Sequence, residues 1–345
     1  MTISLDATYS LGDDLSGVGV YAREVLLGLA AAHPEVRFDW RFRSQRYFRS
    51  WALQVPPNVR RRLLLDAPLL GSGDLFHGLN QRLPRKLRMR RSVATFHDLF
   101  VMTGNYSTPE FRARFSRQAK DAARRADLIL TVSVFTASQV VDLLGVEPAR
   151  VRVVHHGVRA LACHPMPREK VILSVGAVQA RKNIARVVEA FEGVDPEWRL
   201  VLAGAPGFGS AEIMARIERS RARDRIRVLG YVTPDELADW YSRASVFAFP
   251  SLDEGFGMPV LEAMTAGVPV LTSSRSALPE VAGDAALLVD PEDTPALTGA
   301  LRELTVNEEL RKDLTLRGVE RARDFTWDRA ARLTWEAYLT LGVKA

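Results

Sequence analysis

Short apolar runs alternate with longer amphipathic stretches along almost the whole chain. Many of the apolar runs are continuous and rich in β-branched residues, which indicates strands that are covered on both faces. The predicted strands begin at Thr2, Arg37, Ser92, Leu128, Val151, Lys170, Arg199, Ile226, Val246 and Val268. The predicted helices cover residues 18–32, 109–126, 135–144, 183–191, 234–244 and 259–266. This alternation predicts an α/β fold of parallel sheets with helices on both faces.

The segment of residues 156–170 predicts a domain boundary, because it has two prolines, no clear periodicity and a turn-like His-Gly. A chain of 345 residues is also long for a single core. We therefore predict two doubly wound, Rossmann-like domains, over residues 1–160 and 165–325, and a C-terminal helix in residues 326–345 that could pack back on the first domain. In such sheets ligands bind beyond the carboxyl ends of the strands, so we expect the site in a cleft between the domains.

The net charge of +6 is distributed unevenly, with its excess in the first third of the chain. One basic cluster comprises Arg41, Arg43, Arg46, Arg49, Arg60, Arg61 and Arg62. A second basic cluster comprises Arg82, Arg85, Lys86, Arg88, Arg90 and Arg91. Aromatic residues interleave with the first cluster, namely Trp40, Phe42, Tyr47, Phe48 and Trp51. The mixture favours contact with an anionic membrane surface, although a solvated arginine-rich surface with a few core aromatics explains it as well.

The single cysteine, Cys163, cannot form an internal disulfide, which favours a reducing compartment. The N-terminal sequence MTISLDATYS has neither a basic start nor a long apolar core, so we expect no signal peptide. No run of 18 apolar residues is found in the sequence. We therefore expect a cytoplasmic protein, peripheral at the inner face of the membrane if the basic clusters bind lipid.

The segment FAFPSLDEGFGMPVLEAMTAGVPVLTS, from Phe247, has the strongest chemical pattern. Glu254 lies in a predicted loop, and Glu262 lies eight positions later in the first turns of the following helix. Gly255 and Gly257 allow backbone N–H groups to approach a ligand, and the helix N-terminus favours an anion such as a diphosphate. A carboxylate is well suited to bind vicinal hydroxyls, because each of its oxygens can accept a hydrogen bond. Alternatively, Glu254 is a turn residue and Glu262 only complements the helix dipole.

This segment resembles the signature of the family 4 retaining glycosyltransferases, in which two glutamates separated by seven residues flank a Gly-Phe-Gly loop. The resemblance implies the GT-B fold, with two Rossmann-like domains. It also implies that Glu254 holds hydroxyls of the donor sugar and Glu262 those of the ribose. The backbone around the loop would face the sugar and phosphates, at Gly255, Phe256, Gly257 and Met258.

Other segments are similar to the same family over nearly the whole chain. In SVGAVQARKNIARVVEAF, from Ser174, the resemblance implies that Arg181 and Lys182 neutralise the donor diphosphate and stabilise the leaving nucleotide. In ATFHDLF, from Ala94, it implies that His97 faces the transferred sugar, where it hydrogen-bonds a hydroxyl or orders the acceptor.

The glycine-rich segment LSGVGVYAREVLLGLA, from Leu15, resembles the first loop of the family, in which Gly17 and Gly19 lead into a helix. Its amides could meet the donor phosphates or the acceptor. FHGLNQRLP, from Phe76, looks like an edge loop with His77 and Asn80 as possible acceptor contacts. The sequence departs from the family at Ala177, where many members have an arginine that binds phosphate.

The resemblance implies transfer of a hexose with retention of configuration, and mannose from GDP-mannose is the first candidate donor. The acceptor would be a saccharide or a lipid-linked glycan. A UDP-sugar-dependent transferase, a nucleotide-sugar epimerase and a non-catalytic basic protein that binds anions or membranes stay open as alternatives. The sequence has no Asp-x-Asp pair of the kind that carries a metal in other glycosyltransferases, so we expect no metal. We also expect no cofactor beyond the nucleotide-sugar co-substrate and no nucleic-acid partner.

Overall fold

The computed structural model describes residues 2–12, 15–65, 73–84, 89–164 and 166–343. The chain divides into two compact units. The first contains Met1–Thr103, Thr108–Gly157 and Phe325–Ala345, and the second contains Gly104–Ser107 and Val158–Asp324. Three members of the second basic cluster, Arg85, Lys86 and Arg88, lie outside the described residues.

Each unit is built on one parallel sheet. The strands are β1 Thr2–Asp6, β2 Arg37–Arg43, β3 Val59–Leu64, β4 Gly73–Gly78, β5 Met89–Phe96, β6 Leu128–Thr131, β7 Val151–Val153, β8 Glu169–Val175, β9 Arg199–Ala203, β10 Ile226–Gly230, β11 Ala244–Phe249, β12 Val270–Ser273 and β13 Ala286–Val289. Within the described residues, the first sheet has the order β3-β2-β1-β4-β5-β6-β7 and the second has the order β10-β9-β8-β11-β12-β13. The prediction of parallel sheets is confirmed.

Helices connect the strands of both sheets. They are α1 Gly17–Ala32, α2 Ser44–Tyr47, α3 Phe100–Thr103, α4 Pro109–Arg125, α5 Val134–Leu144, α6 Ile184–Phe191, α7 Ser210–Glu218, α8 Pro234–Arg243, α9 Met258–Thr265, α10 Leu278–Ala282, α11 Thr294–Val306, α12 Glu308–Ala322 and α13 Trp327–Leu339. The six helices predicted by periodicity are confirmed to within one residue at each end. In the described part of the chain, no helix is both long and apolar enough to cross a bilayer.

One core cluster of the first unit involves α4 and α5 with the sheet. Another lies between the sheet and a helix pair, α1 and α13. Trp40 and Phe42 are buried in this core, at 1% and 0% exposure, so their interpretation as interfacial aromatics is wrong. Arg41 of the first basic cluster is also buried, with its guanidinium 3.4 Å from the Asp39 carboxylate. These side chains belong to β2, which is covered by a neighbour on each side, β1 and β3.

The core of the second unit surrounds the central strands β8 and β11. The ends of β8 and β9 approach each other so closely that a Cβ on Gly204 would lie 2.0 Å from the Gly176 carbonyl oxygen. Gly204 itself has a φ of 155° and Gly176 a φ of 133°, which favours glycine at both positions. This contact fixes the backbone position at which the loop after β8 begins.

Candidate active site

In the second unit, the loop after β8 is fixed to the loop after β11. The loop contains a 3₁₀ turn, Ala180–Lys182, whose Arg181 carbonyl accepts a hydrogen bond from the Leu252 backbone N–H at 2.9 Å. The next residue, Asn183, adopts a left-handed φ of 59°, and its buried amide donates to the Pro250 and Pro291 carbonyls at 3.1 and 2.6 Å. Arg181 and Lys182 are thereby carried to the carboxyl end of the sheet.

Both cations contact one carboxylate. Glu254 Oε1 lies 2.9 Å from Arg181 Nη1 and 2.6 Å from Lys182 Nζ. Arg181 also donates to the Asp253 carbonyl, and Lys182 Nζ lies 4.3 Å from the centroid of the Phe249 ring. Burial alone would raise the pKa of Glu254, but the two cations outweigh it and lower the pKa to about 2. Glu254 is therefore ionised at neutral pH.

Glu262 lies on α9, and its Oε2 accepts a hydrogen bond from the Tyr241 hydroxyl at 3.1 Å. Burial raises the pKa of Glu262, while the Tyr241 hydroxyl and the charge of Lys182 act in the opposite direction. Tyr241 was not predicted, because its place on the apolar face of α8 is typical of a core position and no sequence signal distinguishes it from other buried aromatics.

The loop before α9 has a glycine requirement of its own. Gly257 is the N-cap residue of α9 with a φ of 111°, and a Cβ there would lie 2.6 Å from Leu278 Cδ2. Any side chain at Gly257 is therefore strained and collides with the core. Gly255 and Phe256 precede it, and Met258 begins the helix, so the four predicted backbone positions form one continuous turn.

In the first unit, His97 directly follows β5. Its Nε2 donates to the Leu79 carbonyl at 3.0 Å, its ring meets Tyr21 edge-on at 4.7 Å, and it stacks on His156 at 5.4 Å. Burial lowers the pKa of His97 to about 4, although the Leu79 carbonyl favours the charged form. The imidazole is therefore neutral at pH 7, with its proton on Nε2 and a lone pair on Nδ1 that can accept a hydrogen bond.

His77 is not a surface residue, so its prediction as an acceptor contact is wrong. It is fully buried on β4, where Nδ1 lies 2.6 Å from the Tyr338 hydroxyl and Nε2 lies 2.8 Å from Thr95 Oγ1. The same Thr95 hydroxyl lies 2.8 Å from that of Tyr21. Burial lowers the pKa of His77 to about 3. The four residues form a hydrogen-bonded chain from α13 through the sheet to α1.

The predicted glycines Gly17 and Gly19 begin α1. Ser16 caps this helix, because its Oγ accepts from the Gly19 N–H at 3.3 Å. A Cβ on Gly19 would lie 2.9 Å from the Tyr9 carbonyl oxygen, so internal packing is enough to explain that glycine. Gly17 is exposed. Both lie in the first unit near Tyr21, which contacts His97.

The amino-acid sequence matches two family descriptions in succession, Glycosyltransferase Family 4 over residues 15–160 and Glycosyl transferases group 1 over residues 164–321. O-antigen chain mannosyltransferase B of Escherichia coli is 33% identical over 285 residues, which cover 77% of this chain and 74% of that protein. The chain belongs to the group 1, family 4 glycosyltransferases. A D-inositol 3-phosphate glycosyltransferase of Nocardioides sp. is 29% identical over 310 residues, covering 78% and 68%.

This glycosyltransferase also resembles solved structures along its whole length. Sucrose-phosphate synthase from Thermosynechococcus elongatus matches with a TM-score of 0.79 and 22% identity over 99% of both chains. HepE of Anabaena, in complex with UDP-glucose, matches with a TM-score of 0.74 and 15% identity, over 98% of this chain and 99% of that one. The predicted GT-B fold is confirmed.

The glycosyltransferase thus has two sets of candidate groups, one in each unit. Arg181, Lys182, Glu254 and Glu262 come together in the second unit, and His97 lies in the first. Across the described residues, no three His, Cys, Asp or Glu side chains converge as a metal site would require. Two cations whose backbone is fixed by the loop contacts can stabilise a developing anion.

Proposed function

We propose that this glycosyltransferase transfers a hexose from a nucleotide-sugar donor, with mannose from GDP-mannose as the first candidate. The observation that carries the proposal is the cation pair at Glu254, because a leaving nucleoside diphosphate needs fixed positive charge. The relative named as an O-antigen chain mannosyltransferase supports mannose as the sugar.

The donor is proposed to bind in the second unit. Arg181 and Lys182 would contact the diphosphate, and the backbone N–H groups from Gly255 to Met258 would face the phosphates and sugar. Glu254 would then accept hydrogen bonds from hydroxyls of the sugar, and Glu262 from those of the ribose. No metal is needed in this scheme, because the two cations and the helix N-terminus supply the positive charge.

His97 is proposed to orient the transferred sugar through Nδ1. A neutral imidazole with a fixed tautomer accepts one hydrogen bond in one direction, which suits a sugar hydroxyl. Gly17 and Gly19 would bring the start of α1 towards the donor phosphates or the acceptor. We propose that the anomeric configuration is retained, by attack on the face from which the phosphate leaves.

The acceptor is proposed to be a saccharide or a lipid-linked glycan at the cytoplasmic face of a membrane. Two observations support this acceptor. One relative is named as an O-antigen chain mannosyltransferase, and the basic clusters of the first unit attract anionic surfaces.

The donor proposal is tested by titrating the protein with GDP, UDP and ADP in a thermal-shift assay, first without metal and then with magnesium. We expect GDP alone to raise the melting temperature, with no dependence on magnesium. GDP-mannose should then be consumed only with an acceptor, and NMR of the product should show an α linkage. No shift with any nucleotide would contradict a functional donor site.

A UDP-sugar donor is the second candidate, and a shift with UDP in place of GDP would select it. Product analysis separates transfer from epimerisation, since an epimerase converts the nucleotide sugar without an acceptor. A non-catalytic basic protein would bind anionic vesicles but consume no donor.

A further inference from the structure

The first unit exposes two large aromatic side chains that lie three residues apart in one short turn. Phe48 is 82% exposed, the highest value for a large apolar side chain among the described residues, and Trp51 is 65% exposed. Both belong to a 3₁₀ turn, Phe48–Ala52, that follows α2. Residues three apart on a 3₁₀ helix are eclipsed, so the two rings project from the same side of the turn.

This turn is held in place by Arg61 of the edge strand β3. Arg61 Nε donates to the Ser50 carbonyl at 3.0 Å, and its Nη2 donates to the Leu53 carbonyl. Its guanidinium lies 5.2 Å from the centroid of the Trp51 ring. Ser50 is itself buried and donates to the Tyr47 carbonyl at 2.5 Å. The exposure of the aromatic pair is therefore a fixed property of the fold.

The surroundings of the pair are basic. Residues 37–65 contain eight arginines, no lysine and one acidic residue, Asp39. Arg49 lies between the two aromatics in the turn; it is exposed and forms no ion pair within the described residues. Arginines on an edge strand can be explained as protection against aggregation. That explanation does not cover two exposed aromatics, which usually mark an interaction surface.

We propose that Phe48 and Trp51 insert into the interfacial layer of an anionic bilayer, with the neighbouring arginines facing lipid phosphates. Aromatic side chains favour the interface, and each nearby cation adds attraction to an anionic leaflet. The occupant is a lipid surface because the patch pairs apolar rings with unneutralised positive charge. Its purpose, access to a lipid-linked acceptor, rests on the proposed function, but the binding itself does not.

The test is co-sedimentation of the full chain with vesicles of phosphatidylcholine alone or mixed with phosphatidylglycerol. We expect binding only to the anionic vesicles. Replacing both aromatics, F48S/W51S, should weaken it about tenfold, because two apolar side chains lose their burial. Arg49→Gln should weaken it about fivefold, the value of one cation near the surface. The matched control is V306S/L316S, which removes two equally exposed apolar side chains, at 74% and 73%, from the second unit.

Trp51 also provides a direct readout. Anionic vesicles should shift the tryptophan emission of the native protein to shorter wavelength, and W51F should lose that shift. Equal vesicle binding by F48S/W51S and the native protein would overturn the proposal. The proposal would also be overturned if neither protein bound vesicles and F48S/W51S lost binding to a soluble glycan acceptor. The aromatic pair would then be a glycan-binding surface. Turnover with a soluble acceptor should be unchanged in F48S/W51S, which separates the anchor from the donor site.

Discussion

At the scale of single residues, the candidate site of the second unit pairs two cations with a single carboxylate. One carboxylate, Glu254, contacts two cations whose positions are fixed by the backbone. A diphosphate bound at Arg181 and Lys182 would compete with Glu254 for the same charges. Donor binding would therefore release the carboxylate towards the sugar, and this exchange can be measured.

We expect Glu254→Gln to bind the nucleoside diphosphate about tenfold more tightly, because one negative charge near the phosphates is removed. Transfer by the same variant should fall at least about a hundredfold, because a contact to the sugar is lost. Isothermal titration and a donor-consumption assay measure the two effects. Glu262→Gln is the matched control and should weaken nucleotide binding. Weaker diphosphate binding by Glu254→Gln would show that the two do not compete.

The buried histidines of the first unit make its stability depend on pH. Burial lowers the pKa of His77 to about 3 and that of His97 to about 4, whereas an unfolded histidine titrates near 6.5. Between about pH 6.5 and 4 the unfolded chain therefore binds more protons than the folded one, and stability falls as the pH falls.

We expect His97→Gln to reduce this pH dependence by about 1.4 kcal/mol per pH unit within that window. Urea unfolding at pH 7, 6 and 5 measures the slope. His164→Gln, at an exposed position, is the matched control variant. An identical slope in His97→Gln and the native protein would mean that folding does not lower the pKa of His97.

Candidate site residues could be predicted from the sequence where they belong to a recognisable motif, and their roles stay predictions. The motif around Glu254 and Glu262 was visible because glycines and carboxylates stand at fixed spacing. Asn183 and Tyr241 were not, since each acts by hydrogen bonds to residues far away in the chain. His77 was misjudged for the same reason, because its partner Tyr338 is 261 residues away.

At the scale of elements, the packing of α1 on α13 leaves no space at Gly28. A Cβ added there would lie 2.9 Å from the Cβ of Ala331, which is closer than real Cβ atoms approach. Glycine in a helix interior costs about 1 kcal/mol relative to alanine, so its presence on α1 follows from this contact.

We expect Gly28→Ala to destabilise the protein by about 1–3 kcal/mol despite the better helix propensity, because α13 must move away. Adding Ala331→Gly should recover much of the loss, and a double-mutant cycle by thermal unfolding measures the coupling. Strict additivity of the two changes would mean that the helices do not meet at this pair.

Three of the described strands were missed by the pattern, namely β3 and β4, which contain polar residues, and β13, which reads ALLV and is short and apolar. β3 reads VRRRLL and, within the described residues, lies at the edge of the sheet beside β2, a position that tolerates three arginines. β4 reads GDLFHG and was interpreted as part of a loop, although it lies between β1 and β5. Hydrogen bonds from two neighbours, and not its own composition, make β4 a strand, and single-sequence patterns do not contain that information.

At the scale of the molecule, the two units differ in how the chain builds them. The second is formed almost entirely by one continuous segment, Val158–Asp324, with its own core. The first is completed only by Phe325–Ala345, which supplies α13 with Trp335 and Tyr338 in its core.

We expect a chain truncated after Asp324 to lose the ordered first unit and keep nucleotide binding by the second. Removal of α13 exposes the apolar face of α1 and leaves buried His77 without its Tyr338 partner. Hydrogen exchange measured by mass spectrometry should show loss of protection in β1, β4 and α1 with protection retained in β8 and β11. Unchanged protection in α1 would contradict this dependence.

The return of α13 to the first unit also has a consequence for synthesis. The strands and helices of the first unit are translated before α13, so their core is completed only after α13 has left the ribosomal exit tunnel. The second unit is translated between the two parts of the first unit and can fold during elongation. During that time the apolar face of α1 in the nascent first unit stays uncovered. Termination of translation before α13 therefore leaves the first unit without part of its core, and chaperones and proteases recognise such unfolded chains.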